Sequence, residues 1–406
     1  MTPDQEIAAA GFPVYLHGFS AIDSYLGYPA ARTGASHTAS PHEYSYRQIL
    51  CGADLIDLAR LFEGLRYPCT TLADAAVDHD GTSWYFRCED TLVLHGTDAL
   101  RNFRDSLGIL EFYQDCISRR FYDPHGIYPC LRFLRDGVNK DEHYSLCNTL
   151  CNTDNYSWRV IFDAAVINAR YFTTPFKTLS ITAASGAPPS IEEQRLLLIR
   201  LMEAANPAPG FELLKKSGFI AVYWPELAML DDVDHSKEFH PEGNVWKHTM
   251  ETLRYRKSAG QGYDLRLSLG LLLHDIGKPI SDSAGSRRFD GHAELGVRQA
   301  RRFLERLGFD SSLINDVCYL VKNHMLPAAL PRLPLVRTGE IMSSQLFPIL
   351  LELYRCDESS SFKGLDGYYR SSAAYQSYLK YRRNPYRSAD GKKLNPDKRG
   401  FHEKKR

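Results

Sequence analysis

The chain has 406 residues, enough for two or three domains. Its 49 basic and 49 acidic side chains cancel, which excludes a globally cationic nucleic-acid or membrane binder, and 44% hydrophobic residues exclude a disordered polymer. No stretch of roughly 18 uncharged apolar residues is present, so no membrane span is expected.

The opening "MTPDQEIAAAGFPVYLHGF" has no basic start and no long apolar run, so no signal peptide is read there and a cytoplasmic location is expected. The nine cysteines include no CxxC pair and read as reduced thiols. "PVYLHGF" predicts a short strand entering a glycine turn, and "ADLIDLARLFEGL" places Leu55, Leu58, Leu61, Phe62 and Leu65 at helical spacing. "AAVDHDGTSWYFRCEDTLVL" predicts a hairpin turning at Asp80-Gly81, and "HGIYPCLRFLRDGVNK" another loop-and-strand piece. Residues 1–150 are therefore expected to form an α+β unit.

From about Trp158 the pattern becomes helical. "WRVIFDAAVINARYF" lines up Val160, Ile161, Ala164, Ala165, Ile167 and Phe172. "SIEEQRLLLIRLMEAA" opens with Ser190 and Glu193, the spacing of a capping box. "PAPGFELLKKSGFIAVYWPEL" predicts a short helix, a glycine stop and a further turn. A helical body over 151–235 and an all-α unit over 236–370 follow, making the chain predominantly helical. Residues 371–406 predict a basic, flexible tail, with eleven Lys/Arg from Lys380 on against Asp390, Asp397 and Glu403. Such a tail is either a solvated extension or a contact to phosphate backbone.

"LSLGLLLHDIGKP" is a core helix that ends on His274-Asp275, groups costly to bury without a partner. A shared metal ion would supply one. Other candidates recur on separate helices: His248 in "NVWKHTMETL", His292 heading "HAELGVRQARRFLERL", His324 ending "LINDVCYLVKNH" and Asp357 ending "LELYRCD". Each alone has an ordinary reading as a cap or surface group. His240 in "EFHPEG" reads as a supporting rather than a ligating residue. The ordered set points to imidazoles and carboxylates converging on one point.

This pattern resembles the HD superfamily of metal-dependent phosphohydrolases. The matching residues are His248, the His274-Asp275 doublet and Asp357, with His292 and His324 where binuclear members place further ligands. Gly277 and Lys278 follow the doublet as in that family's signature. The resemblance implies a divalent metal, Mg, Mn, Fe or Ni, held by His248, His274, Asp275, His292, His324 and Asp357. His274, Asp275 and Lys278 would carry the catalysis, with Lys278 and Arg287 or Arg288 holding the phosphate.

The segments "GFELLKKSGF…WPEL", "HPEGNVWKHT" and "GHAELGVRQARRFLERLGF" resemble the bacterial CCA-adding tRNA nucleotidyltransferase and poly(A) polymerase family. There a nucleotidyltransferase head and a helical RNA-binding body precede an HD domain. In the head the match weakens. "VYLHGFSAIDSYLGYP" keeps Gly18, Asp23, Leu26 and Gly27, but Phe19 and Ile22 stand where the family has Gly and Arg. The Asp-x-Asp expected on the next strand is missing. Asp78-x-Asp80 reads as turn chemistry, and Arg119-Arg120-Phe121 with Asp123 only echoes a later element.

The expected function is a phosphohydrolase or phosphodiesterase acting on nucleotides or RNA (tRNA) ends, with a degenerate nucleotidyltransferase head. The alternatives are an active CCA-adding or poly(A) polymerase, drawing carboxylates from Asp23 with Asp54, Asp57 or Glu89, and a non-catalytic RNA-binding protein.

Overall fold

The computed structural model describes residues 1–26, 45–67, 73–80, 82–89, 112–123, 158–171, 188–234, 243–257, 263–281, 289–361 and 364–383. Two compact units are present. One comprises Met1–Met229, Arg256–Leu269 and Arg302–Ser311; the other comprises Leu230–Tyr255, Gly270–Arg301 and the residues from Ser312 on.

The first unit opens with α1 (Pro3–Ala9), β1 (Val14–His17), α2 (Phe19–Leu26), β2 (Ser45–Cys51), α3 (Leu55–Leu61), β3 (Ala75–His79), β4 (Thr82–Cys88), β5 (Tyr113–Asp115) and β6 (Phe121–Tyr122). The strands form one six-stranded sheet in the order β3-β4-β2-β1-β5-β6. Strands β2 and β4 are parallel and the other neighbours antiparallel. The expected hairpin is β3–β4, with Asp80 at φ 48 in its turn. Gly18, at φ 59, carries the chain from β1 directly into α2, a conformation that glycine adopts without a Cβ penalty. Phe19, Ile22, Ile49, Leu58, Phe86 and Phe112 are buried. The strand piece expected at 125–140 lies outside the described residues.

The body consists of α4 (Trp158–Tyr171), α5 (Ile191–Glu203), α6 (Ala208–Lys216), α7 (Phe219–Tyr223) and α8 (Pro225–Ala228). The capping box at Ser190 and Glu193 is formed in both directions, satisfying two N-terminal amides of α5. Gly218, at φ 78, separates α6 from α7 as the glycine stop predicted. Trp224 is the anchor: it is fully buried among Phe211, Phe219 and Phe303, and its indole N–H donates to Gln194 Oε1 at 3.2 Å. Arg256 is buried and donates to the carbonyls of Met202 and Ala204 and to Ser268 Oγ. At the end of α5, Glu203 has a carboxyl oxygen shut off from solvent with no hydrogen-bond partner. Burial pushes its pKa up from the ordinary 4.5 to about 8, against the pull of Arg170 and Arg200.

The second unit contains α9 (Val245–Arg254), the end of α10 (Leu265–Leu273), α11 (Lys278–Ser281), the first part of α12 (His292–Arg306), α13 (Ser311–Asn323), α14 (Leu326–Ala329), α15 (Leu335–Ser343), α16 (Phe347–Ser359) and α17 (Asp366–Arg383). Residues 371–383, expected to begin a tail, continue α17 instead. Ser371 is fully buried and donates to Pro327 O, Tyr378 donates to Gly339 O, and Tyr375 packs on Phe347 at 4.7 Å between centroids. The sequence reading counted aliphatic residues, and here tyrosines supply the packing. Residues 384–406 lie outside the described residues.

One close approach sets the position of the functional residues. A Cβ at Gly277 would stand 2.0 Å from the His292 carbonyl and 2.5 Å from the Gly296 amide. The turn after α10 therefore lies backbone against backbone on the first turn of α12. Overpacking of this kind costs about 3 kcal/mol, so Gly277→Ala is expected to lower the denaturant midpoint clearly. Gly339→Ala, where nothing lies within 4 Å, should not. An equal response of the two variants would remove the packing explanation.

Glu203 makes a second expectation. Its folded pKa lies above the unfolded value, so its contribution to stability is complete below about pH 4.5 and is lost as pH rises toward 8. Glu203→Gln should therefore melt above wild type at pH 9, by on the order of 1–3 kcal/mol, and lose that advantage at pH 4. A pH-independent difference in thermal scans would contradict the assignment.

Candidate metal centre

Five helices bring six side chains together at their ends or along one buried face. Asn244 caps α9: its side chain accepts from the Lys247 amide at 2.9 Å, and its own amide donates to Asp231 Oδ1 at 2.9 Å. That start turns His248, Thr249 and Thr252 inward with Val245, Trp246 and Leu253. His274 and Asp275 follow the last residue of α10, whose Leu269, Leu271, Leu272 and Leu273 are fully buried. His292 heads α12, His324 follows α13, and Asp357 lies in the last turn of α16. The apolar faces thus end where the polar groups begin, which is why a core helix finishes on an imidazole and a carboxylate.

The ligand atoms form two triads, His248/His274/Asp357 and Asp275/His292/His324, each with all three atoms within 4.8 Å of one another. The rings meet through Nε2: His248 and His274 are 3.4 Å apart there, and His292 and His324 3.0 Å. Asp275 faces both pairs. Its Oδ2 is 3.3 Å from His274 Nε2 and 3.9 Å from His248 Nε2, and its Oδ1 is 3.6 Å from His292 and 3.7 Å from His324. Asp357 Oδ1 stands 3.0 Å from His248 Nε2. His248, His274, Asp275 and His324 are each no more than 2% exposed.

The second nitrogens settle the tautomers of three rings. Nδ1 of His274, His292 and His324 lies 2.8, 2.7 and 2.8 Å from the carbonyls of Leu271, Phe289 and Val321. A carbonyl only accepts, so each Nδ1 carries a proton, and Nε2 is the nitrogen that each ring turns inward as a possible donor to a cation. His248 Nδ1 meets a hydroxyl instead, Ser360 Oγ, at 3.2 Å.

Lone pairs facing one another and two carboxylates need positive charge. Burial lowers the His324 pKa to about 4, against the pull of Asp275, and burial lowers His292 as well, so these two rings do not supply that charge at neutral pH. Burial opposes ionisation of Asp275, but His274 and Lys278 outweigh it and hold the carboxyl well below the usual range. Asp357 is likewise held ionised against burial, by its contact with His248. Imidazole nitrogens and ionised carboxylates around one point are a donor set that fits divalent cations.

Lys278 is not directed at an open space. Its Nζ donates to Asp275 Oδ2 at 2.6 Å and lies 5.3 Å from the centroid of Phe289. It compensates the carboxylate it was expected to work beside. His240, Arg287 and Arg288 lie outside the described residues. Ser360 had no signal in the sequence, where "DESSS" reads as an ordinary helix end.

The head presents a different picture. Phe19 is fully buried at the position expected for a second glycine. Asp23 is held by Arg170, whose Nε donates to Asp23 Oδ1 at 3.1 Å and whose Nη2 donates to Oδ2. The strand that follows, β2, reads Ser45-Tyr-Arg-Gln-Ile-Leu-Cys51 and has no carboxylate. Asp54 caps α3, Asp57 pairs with Arg60, and Glu89 pairs with Arg87. Asp78 accepts from Arg66 and Ser83, and Arg119, at φ 61, lies in the turn between β5 and β6. Gly27 lies outside the described residues.

The HD domain family matches residues 245–345. The CC-adding tRNA nucleotidyltransferase of Thermus thermophilus is 34% identical over 143 residues, 34% of this chain and 32% of that protein. The multifunctional CCA protein of Alkalilimnicola ehrlichii is 32% identical over 160 residues, 39% of this chain and 36% of that protein. The matched stretches thus span about a third of these relatives' own length. Among solved structures, the Bacillus stearothermophilus CCA-adding enzyme in complex with CTP shares the fold, with a TM-score of 0.51 at 14% identity over 94% of this chain and 83% of that one. A sheet-containing head, a helical body and the converged histidines agree with these likenesses: the HD domain match at 245–345 lies in a chain whose fold is that of a CCA-adding enzyme.

Proposed function

We propose that this protein is a metal-dependent phosphohydrolase whose centre is built from His248, His274, Asp275, His292, His324 and Asp357, and whose substrates are phosphate esters of nucleotides or RNA ends. The observation that carries this reading is the bridging position of Asp275, with one oxygen toward each histidine pair. When bound, divalent cations supply Lewis acidity, neutralising phosphoryl oxygens and making water nucleophilic at neutral pH.

The chain's own residues do the remainder. Leu271, Phe289 and Val321 fix three ring tautomers through their carbonyls, so the inward nitrogens are ready without reorganisation. Asp275 ties the two half-sites to one separation. Lys278 offsets part of the carboxylate charge from within the protein. The RNA-end substrate class comes from the relatives, one named a CC-adding tRNA nucleotidyltransferase and the other a multifunctional CCA protein.

A second reading, nucleotidyl transfer onto tRNA, is favoured by those same names. Against it stand the missing carboxylates of β2 and the engagement of Asp23 by Arg170. Nucleotidyl transfer needs paired carboxylates to hold two Mg²⁺ ions, and the described head has no such pair.

The purified chain is expected to contain a divalent cation and to hydrolyse 2′,3′-cyclic phosphates or tRNA 3′ ends. Asp275→Ala should lower kcat by about 10³-fold or more. Absence of hydrolysis in metal-loaded wild type would overturn the hydrolase reading. Transfer from CTP or ATP onto tRNA, lost in Asp23→Ala, would establish the second one.

Chelation gives an independent check. Removing the cation should leave two carboxylates and four histidines facing one another, so the melting temperature should fall by several degrees and recover on adding Mn²⁺. Identical melting with and without chelator would speak against a cation at this place.

A further inference from the structure

We propose that Cys51 and Cys88 form a redox-reactive thiol pair in the head, a modification site that hydrogen peroxide converts to a disulfide joining β2 to β4. The proposal does not depend on the cation-binding reading above.

The pair follows from the sheet register. β2 and β4 run parallel, and Cys51 and Cys88 are the last partners of their ladder. Neighbouring strands lie about 4.8 Å apart, inside the roughly 4.4–6.8 Å between Cα atoms that a disulfide tolerates, and residues paired across them project to the same face. Two positions back on that face Ile49 pairs with Phe86, and both are fully buried. The thiols end this buried row. Cys51 is fully buried, and Cys88, partly exposed, is where the row opens.

Both anchors are held by hydrogen bonds. The Glu89 amide donates to the Cys51 carbonyl at 2.9 Å, and the Cys88 amide donates to Asp74 Oδ2 at 2.8 Å. The side chains meet as well. The Cys88 thiol donates to the Cys51 sulfur, and Cys51 Sγ lies 3.8 Å from the Ala53 carbonyl. The contact with Cys88 draws the Cys51 pKa down against burial, and the same contact pushes Cys88 up. Asp74 opposes negative charge on either sulfur, and Asp54 opposes it on Cys88. Ionisation is thereby directed to Cys51, and the thiolate is the form that oxidants attack. Cys116, buried one residue past β5, is the contrast: burial pushes its thiol up to about 12.

The reaction balances with peroxide as the one co-reactant. The Cys51 thiolate takes an oxygen of hydrogen peroxide: an S–O bond forms, the O–O bond breaks, and the released hydroxide gains a proton to leave as water. The Cys88 sulfur then attacks the Cys51 sulfur. The S–S bond forms, the S–O bond breaks, and a second water leaves with the Cys88 proton. Two thiols lose two electrons and two protons, and the peroxide is reduced to two waters.

The test uses the full chain, reduced and then treated with hydrogen peroxide under native conditions. Wild type should lose two of its nine free thiols and about 2 Da of mass. Digestion without reductant should give one linked pair of peptides, carrying Cys51 and Cys88, while Cys116 still takes iodoacetamide after unfolding. Dithiothreitol should restore both thiols. Cys88→Ser should abolish the linked peptides and carry Cys51 on to the sulfinic acid, a gain of about 32 Da that dithiothreitol does not reverse. In Cys51→Ala, Cys88 should oxidise at least about tenfold more slowly than the wild-type pair.

Wild type whose Cys51 and Cys88 both remain open to alkylation after treatment overturns the proposal. So does a disulfide that joins other cysteines and leaves this pair free, or a loss of two thiols that persists in both variants. Cys88→Ser, at the more exposed position, keeps the test decisive where Cys51→Ala does not fold.

Discussion

The carboxylate of Asp275 is the point that organises the helical unit. A fully buried carboxylate is untenable alone, because desolvation penalises its charge by several kcal/mol. Here it is met by Lys278 through one oxygen and surrounded by four imidazole nitrogens through both. Removing any helix would expose the charge or strip it of a partner. The requirement to satisfy that one group therefore acts on α9, α10, α12 and α13 together, over and above their ordinary apolar packing.

Much of this centre was legible in the sequence because its ligands interrupt regular apolar patterns. His274-Asp275 ends a run of leucines, and His324 and Asp357 end periodic helices, so each stood out against its neighbours. The interactions that complete the centre left no such mark. Ser360 looks like any serine after a helix, and the carbonyls of Leu271, Phe289 and Val321 belong to the backbone. The direction of Lys278 was also hidden, since sequence gives the charge but not that it turns back on Asp275.

The head illustrates the opposite balance. The lack of a carboxylate on β2 was readable, because absent residue types are visible in a sequence. The partner that engages Asp23 was not. Asp23 and Arg170 are separated by 147 positions, and only folding shows that the arginine pairs with the one acidic residue of α2. The extent of α17 was misjudged for a related reason. Its buried face relies on Tyr375 and Tyr378, whose rings pack while their polarity lets them pass as surface residues.

The backbone contact between Gly277 and the start of α12 works as a mechanical gauge. The doublet His274-Asp275 and the imidazole of His292 hang from main chains pressed directly together, so side-chain rotations cannot change the gap between their anchor points. Any adjustment between these anchors falls on side-chain torsions rather than on the main chain. Methyl-scale changes at this junction would therefore move the anchor points of three site residues at once without altering any of those side chains.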